Sequence, residues 1–299
     1  MTSLTVKHID AFTSSPFAGN PAAVVLPSDP LTDEQMQSVA REMNLPETAF
    51  ILPSSNKQAD LCIRWFTPTN EVALCGHATI AGFHALAEEG LFGMKKNGTY
   101  SFRLQTASGM LGVVVNKENG SATVKFTLPM PQFVKTYSLK TDFFSALGIQ
   151  DNDFDKRLPC VVSTNAFLGV RRLSALFEMR PDFELMKMVL RQRKLLGVCV
   201  FTTETIDRSS TFHCRFFAPN DGINEDPVTG SANGPLGVYM VEQGLVGKSD
   251  GIIEMIGEQG DVLGRPGRVR VEVNVEHGKP KSVAIIGNAV TVFEGTLRL

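Results

Sequence analysis

With 299 residues, 43% of them hydrophobic and 20% charged, the chain holds enough apolar side chains for one large or two medium cores. A formal net charge of −2 and a pI near 6.2 supply no field for nucleic acid or an anionic membrane, and no basic run supplies a local one. The start, Met1 to His8, lacks the charged and apolar regions of a signal peptide, and no window reaches the roughly 20 apolar residues of a membrane span. A cytosolic protein with a small-molecule partner is therefore expected. Five cysteines, Cys62, Cys75, Cys160, Cys199 and Cys214, are odd in number and include no Cys-x-x-Cys pair, which argues against a disulfide framework and a structural zinc site.

Residues 5–12 alternate as a strand, Pro16 to Pro21 reads as a turn, and residues 22–26 form a second strand. Leu31-Thr32-Asp33-Glu34 supplies a cap and an acidic first turn for a helix through Asn44, which Pro46 ends. Glu47 to Ile51 and Leu61 to Phe66 read as strands. His77 to Glu89 reads as a helix closed by Gly90 and apolar or small nearly all round, the mark of burial on every side. Strands follow at 113–115 and 122–128, and Pro129-Met130-Pro131 is the expected joint between halves. Beyond it come a helix around 141–147, strands at 160–163 and 167–170, a helix near 183–193, and strands at 197–202 and 210–217. A second helix apolar nearly all round spans 231–242 before Gly244, and strands at 269–275, 282–286 and 289–293 finish the chain.

The stretch Asn70–Gly93 recurs at Asn224–Gly247, with Asn70/Asn224, Glu71/Glu225, Gly76/Gly230, Ala78/Ala232, Glu88/Glu242, Gly90/Gly244, Leu91/Leu245 and Gly93/Gly247 identical. Upstream, Arg64-Trp65-Phe66-Thr67-Pro68 echoes Arg215-Phe216-Phe217-Ala218-Pro219. A period this long predicts a duplicated half-molecule, since solenoid repeats are a few tens of residues. Antiparallel strands around one buried helix, done twice, predict an α+β fold of two pseudo-equivalent domains. Each buried helix begins at a glycine-containing loop. Two helix N-termini facing one cleft between the domains would bind a carboxylate.

His77 and Ser231 follow Gly76 and Gly230 directly, and Asp226 precedes Gly230 by four residues. A histidine at a helix N-terminus is expected to be held nearer neutral by the dipole. The plain alternatives are that His77 and Ser231 finish helix caps and that Asp226-Pro227 is a turn. Glu71 and Glu225, identical in both copies, read as scaffold, while the positions that differ read as specialised. Glu47, beside Pro46 and among apolar neighbours, reads either as an acid/base group or as a solvated loop glutamate.

Glu47-Thr-Ala-Phe, Cys75-Gly-His-Ala-Thr and Asp226-Pro-Val-Thr-Gly-Ser-Ala, with an opening of His8-Ile-Asp-Ala-Phe and Gly19-Asn-Pro, together resemble the PhzF-like family of phenazine-biosynthesis isomerases. The match covers nearly the whole chain. The resemblance implies a diaminopimelate-epimerase-like fold of two pseudo-symmetric domains, 1–128 and 129–287, each a barrel-like antiparallel sheet around a central helix, with the C-terminal strand at about 288–299 completing the first, together with a homodimer and chemistry that needs no cofactor and no metal. It also implies that Glu47 moves a proton between carbons of a small carboxylate-bearing substrate, as a glutamate does on a dihydro-hydroxyanthranilate in the characterised member. His77, Asp226 and Ser231 would hold or polarise that substrate, and the N–H groups of Gly76, Gly230 and Ser231 would grip its carboxylate.

The same fold serves epimerases and racemases that pair one thiol from each half. Here the first half has Cys75 but the second half has Thr229, whose hydroxyl is far too weak an acid to replace a thiol, so Cys75 reads as an inherited helix-start residue with a lowered pKa. Hydrolysis by Ser231, His77 and Asp226 lacks the Gly-x-Ser-x-Gly elbow. Racemase- or epimerase-type activity using Cys75 and a small-molecule-binding protein without turnover are the alternatives.

Overall fold

The computed structural model describes residues 3–27, 31–136 and 139–299, with backbone alone at 139–141. Met1 and Thr2, part of the start read for a leader, lie outside the described residues. The chain divides into two units, one of Met1–Thr127 with Ile285–Leu299 and one of Leu128–Ala284. Among the described residues no helix is long and apolar enough to cross a membrane.

The first unit runs β1 (Ser3–Ala11), β2 (Asn20–Val25), α1 (Asp33–Met43), β3 (Glu47–Leu52), β4 (Leu61–Phe66), β5 (Glu71–Val72), α2 (Gly76–Glu88), β6 (Gly98–Thr106), β7 (Gly109–Glu118) and β8 (Ser121–Leu128). Thr32 and Gln35 form a reciprocal capping box at the start of α1, and Asn44 ends it in the left-handed region at φ 49°. Pro46 prevents resumption of the helix, so the chain turns directly into β3 at Glu47.

The second unit runs β9 (Val134–Lys135), α3 (Leu139–Leu147), β10 (Val161–Val162), β11 (Ala166–Gly169), α4 (Leu173–Glu178), α5 (Phe183–Arg193), β12 (Val198–Thr202), β13 (Phe212–Ala218), β14 (Ile223–Asp226), α6 (Gly230–Glu242), β15 (Gly251–Gln259) and β16 (Gly267–Glu276); β17 (Lys279–Arg298) begins there and ends in the first unit. Eight strands of the first unit close into a barrel in the order β1, β2, β3, β4, β6, β7, β8 and β17, which returns to β1. Two of these pairings, β2–β3 and β4–β6, are parallel. The second unit repeats the mixture, with β11–β12 and β13–β15 parallel.

A buried helix belongs to each unit. In α2 every residue from His77 to Ala87 is buried, and packing on all sides explains why its sequence lacks a polar face. Both α2 and α6 end alike. Gly90 and Gly244 sit at φ 66° and 72°, and the N–H groups of Leu91 and Leu245 reach back to Leu86 O and Met240 O at 2.9 and 3.0 Å. At the far end of α2, buried Lys7 donates to Glu88 and Glu89 and pairs with Glu294, offsetting carboxylates that the helix C-terminus disfavours.

Some elements differ from the sequence reading. The two expected strands at 282–286 and 289–293 are one strand, because Gly287 continues it: a Cβ there would stand 2.6 Å from Phe12 Cδ1 and 2.7 Å from Ile80 Cδ1. The expected breaker is a close-packing position. β6, β15 and α4 carry no expected element at all; the first four residues of β6 are half-buried or exposed, which hides its alternation until Phe102. The two long helices start one residue early, at Gly76 and Gly230.

Candidate functional site

Because β2 and β3 are parallel neighbours with Ala22 opposite Glu47, their first residues, Asn20 and Glu47, lie at the same end of the barrel. The start of α2 meets them there. His77 Nε2 lies 3.0 Å from Glu47 Oε2, His77 Nδ1 lies 3.1 Å from Asn20 Nδ2, and Cys75 Sγ approaches the two ring nitrogens at 3.6 and 3.9 Å. Glu47, Cys75 and His77 are all buried. The Glu47–His77 approach is close but off the line of a hydrogen bond, so among the described residues Oε2 accepts no aligned bond. An oxygen in that position keeps its lone pairs available.

Electrostatics separates the three groups. Burial, with the Glu47 charge adding, pushes the Cys75 thiol up to about 11, which keeps it protonated at neutral pH. Burial opposes the His77 imidazolium, but Cys75 and the Glu47 carboxylate outweigh it and hold the ring's pKa well above 6.5. With the thiol protonated, Glu47 is the charge that matters. Both expectations from the helix dipole are thereby overturned: His77 is not held near neutral, and the Cys75 thiol is raised instead of lowered. A carboxylate in direct contact exceeds the partial charge of a helix end. An imidazolium donates from both nitrogens, so Asn20 serves it by presenting its amide oxygen, which has the same shape as the amide nitrogen.

The caps are not those expected from sequence. Cys75 and Thr229 are the N-cap residues, neither side chain caps its helix, and His77 and Ser231 stand two residues further in. Among the described residues the backbone N–H groups of Gly76, His77, Gly230 and Ser231 have no hydrogen-bond partner. These are the open donors that a helix start leaves for an anion.

In the second unit, Asp226 ends β14 and is buried, and its Oδ2 accepts from Thr229 Oγ1 at 2.5 Å. Gln259 fastens this turn: it accepts from Thr229 N–H at 2.9 Å and donates to Asp226 O at 2.8 Å and to Thr229 Oγ1 at 3.0 Å. Asn233 Nδ2 donates to both Thr229 O and Gln259 Oε1 at 2.9 Å. Ser231 is exposed, which does not suit a nucleophile activated in a buried triad. Asn20, Gln259 and Asn233 escaped the sequence reading as site residues. Asn20 was signalled by its place in Gly19-Asn20-Pro21, a polar residue opening an apolar strand.

Glu71 and Glu225 are scaffold. Arg64 grips Glu71 with two bonds of 2.7 Å, and Arg215 grips Glu225 with bonds of 2.8 and 2.7 Å. Each clasp ties the strand before a buried helix to its neighbour, fixing where the helix starts.

Residues 9–295 match the family described as phenazine biosynthesis-like protein, PhzC-PhzF. An uncharacterized isomerase of Clostridium acetobutylicum is 39% identical over 298 residues, covering 98% of this chain and 97% of that one. A solved structure of the Bacillus anthracis phenazine biosynthesis protein of the PhzF family aligns with a TM-score of 0.88 at 35% identity, covering 100% of both chains. A hydroxyproline epimerase from Agrobacterium vitis aligns with a TM-score of 0.61 at 14% identity over 100% of this chain and 94% of that one, a likeness of fold alone. On the span of the family match and these identities, the chain is an enzyme of the isomerase type and belongs to the phenazine biosynthesis-like PhzC-PhzF family.

Proposed function

We propose that the chain is a cofactor-independent isomerase in which Glu47 removes a proton from one carbon of a small carboxylate-bearing substrate and returns it to another. One observation carries this reading: a buried Glu47 carboxylate oxygen without an aligned hydrogen bond stands 3.0 Å from a histidine whose pKa is held well above 6.5. A base with an available lone pair needs a partner that stabilises charge developing on the substrate, and an imidazolium does so as a donor. His77 takes that part. The open amides of Gly76, Gly230 and Ser231 grip the substrate carboxylate, and Asp226 orients the rest.

Cys75 stays outside the reaction in this reading. A thiol pushed up to about 11 is a poor base at neutral pH, which disfavours racemase chemistry through it. A homodimer, on the family resemblance, and a cytosolic location complete the proposal.

The test is incubation with a metabolite pool in D₂O. New carbon-bound deuterium in one metabolite is expected with the native chain and at least about 100-fold less with Glu47→Gln, the order that one acid/base group contributes. Full incorporation by Glu47→Gln would refute the assignment.

A further inference from the structure

We propose that Glu47, Cys75 and His77 form a three-ligand site for a soft divalent cation of the Zn²⁺ type, and that its occupancy withdraws Glu47 from proton transfer. The three donor atoms, all buried, lie within 4.8 Å of one another. Oε2 to Nε2 is 3.0 Å and Sγ to Nε2 is 3.9 Å. Tetrahedral Zn²⁺ with ordinary bond lengths spaces such ligands at roughly 3.3–3.6 Å. The ring must give a few tenths of an ångström to Glu47 and the thiol must close on both, which side-chain rotation supplies.

The donor set also selects the ion. One sulfur, one imidazole nitrogen and one carboxylate oxygen suit Zn²⁺ and disfavour Mg²⁺ and Ca²⁺, which take oxygen. Three protein ligands leave a fourth position for water or a carboxylate. Asn20 on Nδ1 is the outer partner that aims Nε2 at the ion. The site binds the ion through a thiolate and a neutral ring, and the protons these groups carry leave to solvent. Sequence spacing hides it, since Cys75 and His77 come from the start of α2 and Glu47 from β3.

The inhibitory consequence rests on Glu47 being the base; the metal site does not. The full chain, stripped with a chelator, is titrated with CoCl₂. One equivalent should produce a thiolate-to-Co(II) charge-transfer band in the near ultraviolet and the intense visible bands of four-coordinate Co(II), and Zn²⁺ should bleach both. Cys75→Ser should abolish the charge-transfer band and weaken binding by roughly 10–100-fold, while Cys62→Ser leaves both unchanged. No band with the native chain, a band that survives Cys75→Ser, or a band lost with Cys62→Ser overturns the site. Should Cys75→Ser not fold, Glu47→Gln keeps the thiol and must weaken Co²⁺ binding by the same order; unchanged affinity overturns the site. Zn²⁺ should stop deuterium exchange in the native chain and spare it in Cys75→Ser; exchange that continues at saturating Zn²⁺ overturns the inhibition. A chain that binds Co²⁺ but never exchanges deuterium sinks the isomerase reading and leaves the metal site standing.

Discussion

Gln259→Met isolates the fastening of the second helix start. Methionine keeps the length and volume of the side chain but offers neither the carbonyl that accepts from Thr229 N–H and Asn233 Nδ2 nor the amide that donates to Asp226 O and Thr229 Oγ1. Asn233 still has Thr229 O, and the Thr229 hydroxyl still has Asp226 Oδ2. The loss therefore concentrates on Thr229 N–H, which is left without its acceptor. An orphaned buried group costs about 1–3 kcal/mol, and about 2 kcal/mol here corresponds to a fall in Tm of roughly 4–8 °C for a unit of this size. Urea unfolding followed by circular dichroism should show a lower midpoint at an unchanged slope. A loss below about 1 kcal/mol would mean that Gln259 does not hold the turn and that β15 does not fix the start of α6.

Three further outcomes follow from the same geometry. His77 has a raised folded-state pKa, so its contribution to stability is complete below the unfolded value of about 6.5 and is lost as pH rises through the raised value; native chain minus Glu47→Gln stability should be widest in that acidic range and close toward alkaline pH, and a gap that widens with pH in urea titrations would contradict the pairing. Gly287→Ala pushes a methyl group into Phe12 and Ile80 and should cost about 1–3 kcal/mol in thermal unfolding, whereas Gly93→Ala or another change at an uncrowded glycine tests only backbone conformation. Arg215→Lys should cost about 2 kcal/mol and Arg64→Lys under about 1 kcal/mol, because the Arg215–Glu225 clasp is 5% and 10% exposed and the Arg64–Glu71 clasp 25% and 34%; equal losses would show that burial does not set the difference.

The fold was legible where one rule dominated. Unbroken apolar stretches announced α2 and α6, Pro46 announced the start of β3 at Glu47, and the recurring Asn-Glu and Glu-x-Gly-Leu-x-Gly signatures announced two matching starts and ends. β6 was hidden because its first half is exposed, and the continuity of β17 because Gly287 looks like a breaker when only its conformational freedom is considered. The site was half legible. Glu47 and His77 were found from motif and position, but Asn20, Gln259 and Asn233 are neutral amides in strands and a helix, and nothing in their own chemistry distinguishes them from surface residues until their partners are known. The protonation of His77 was misjudged for the same reason: a helix dipole can be read along the chain, whereas a carboxylate from another strand cannot.

A second buried histidine–carboxylate pair shows why geometry alone would not have singled out Glu47. His213 Nδ1 lies 2.8 Å from Glu258 Oε2, and both residues are fully buried. Glu258 also accepts the backbone N–H groups of Ile206 and Asp207 at 2.8 Å each, so its oxygens are occupied by a loop. Burial, the largest influence on His213, outweighs Glu258 and holds that ring's pKa below 6.5, the opposite direction from His77. The matching position in the first unit explains the difference. His213 pairs with Glu258 in register as Cys62 pairs with Gln105, and Gln105 Oε1 likewise accepts from a loop, from Ser54 Oγ at 2.6 Å and Asn56 N–H at 3.2 Å. A glutamine does the same work there as the glutamate, so that work needs an acceptor and not a titrating group. Among the described residues Glu47 has no such loop to hold, and its Oε2 is left without an aligned bond beside a charged ring; that difference separates a carboxylate that fastens the fold from one that can take a proton.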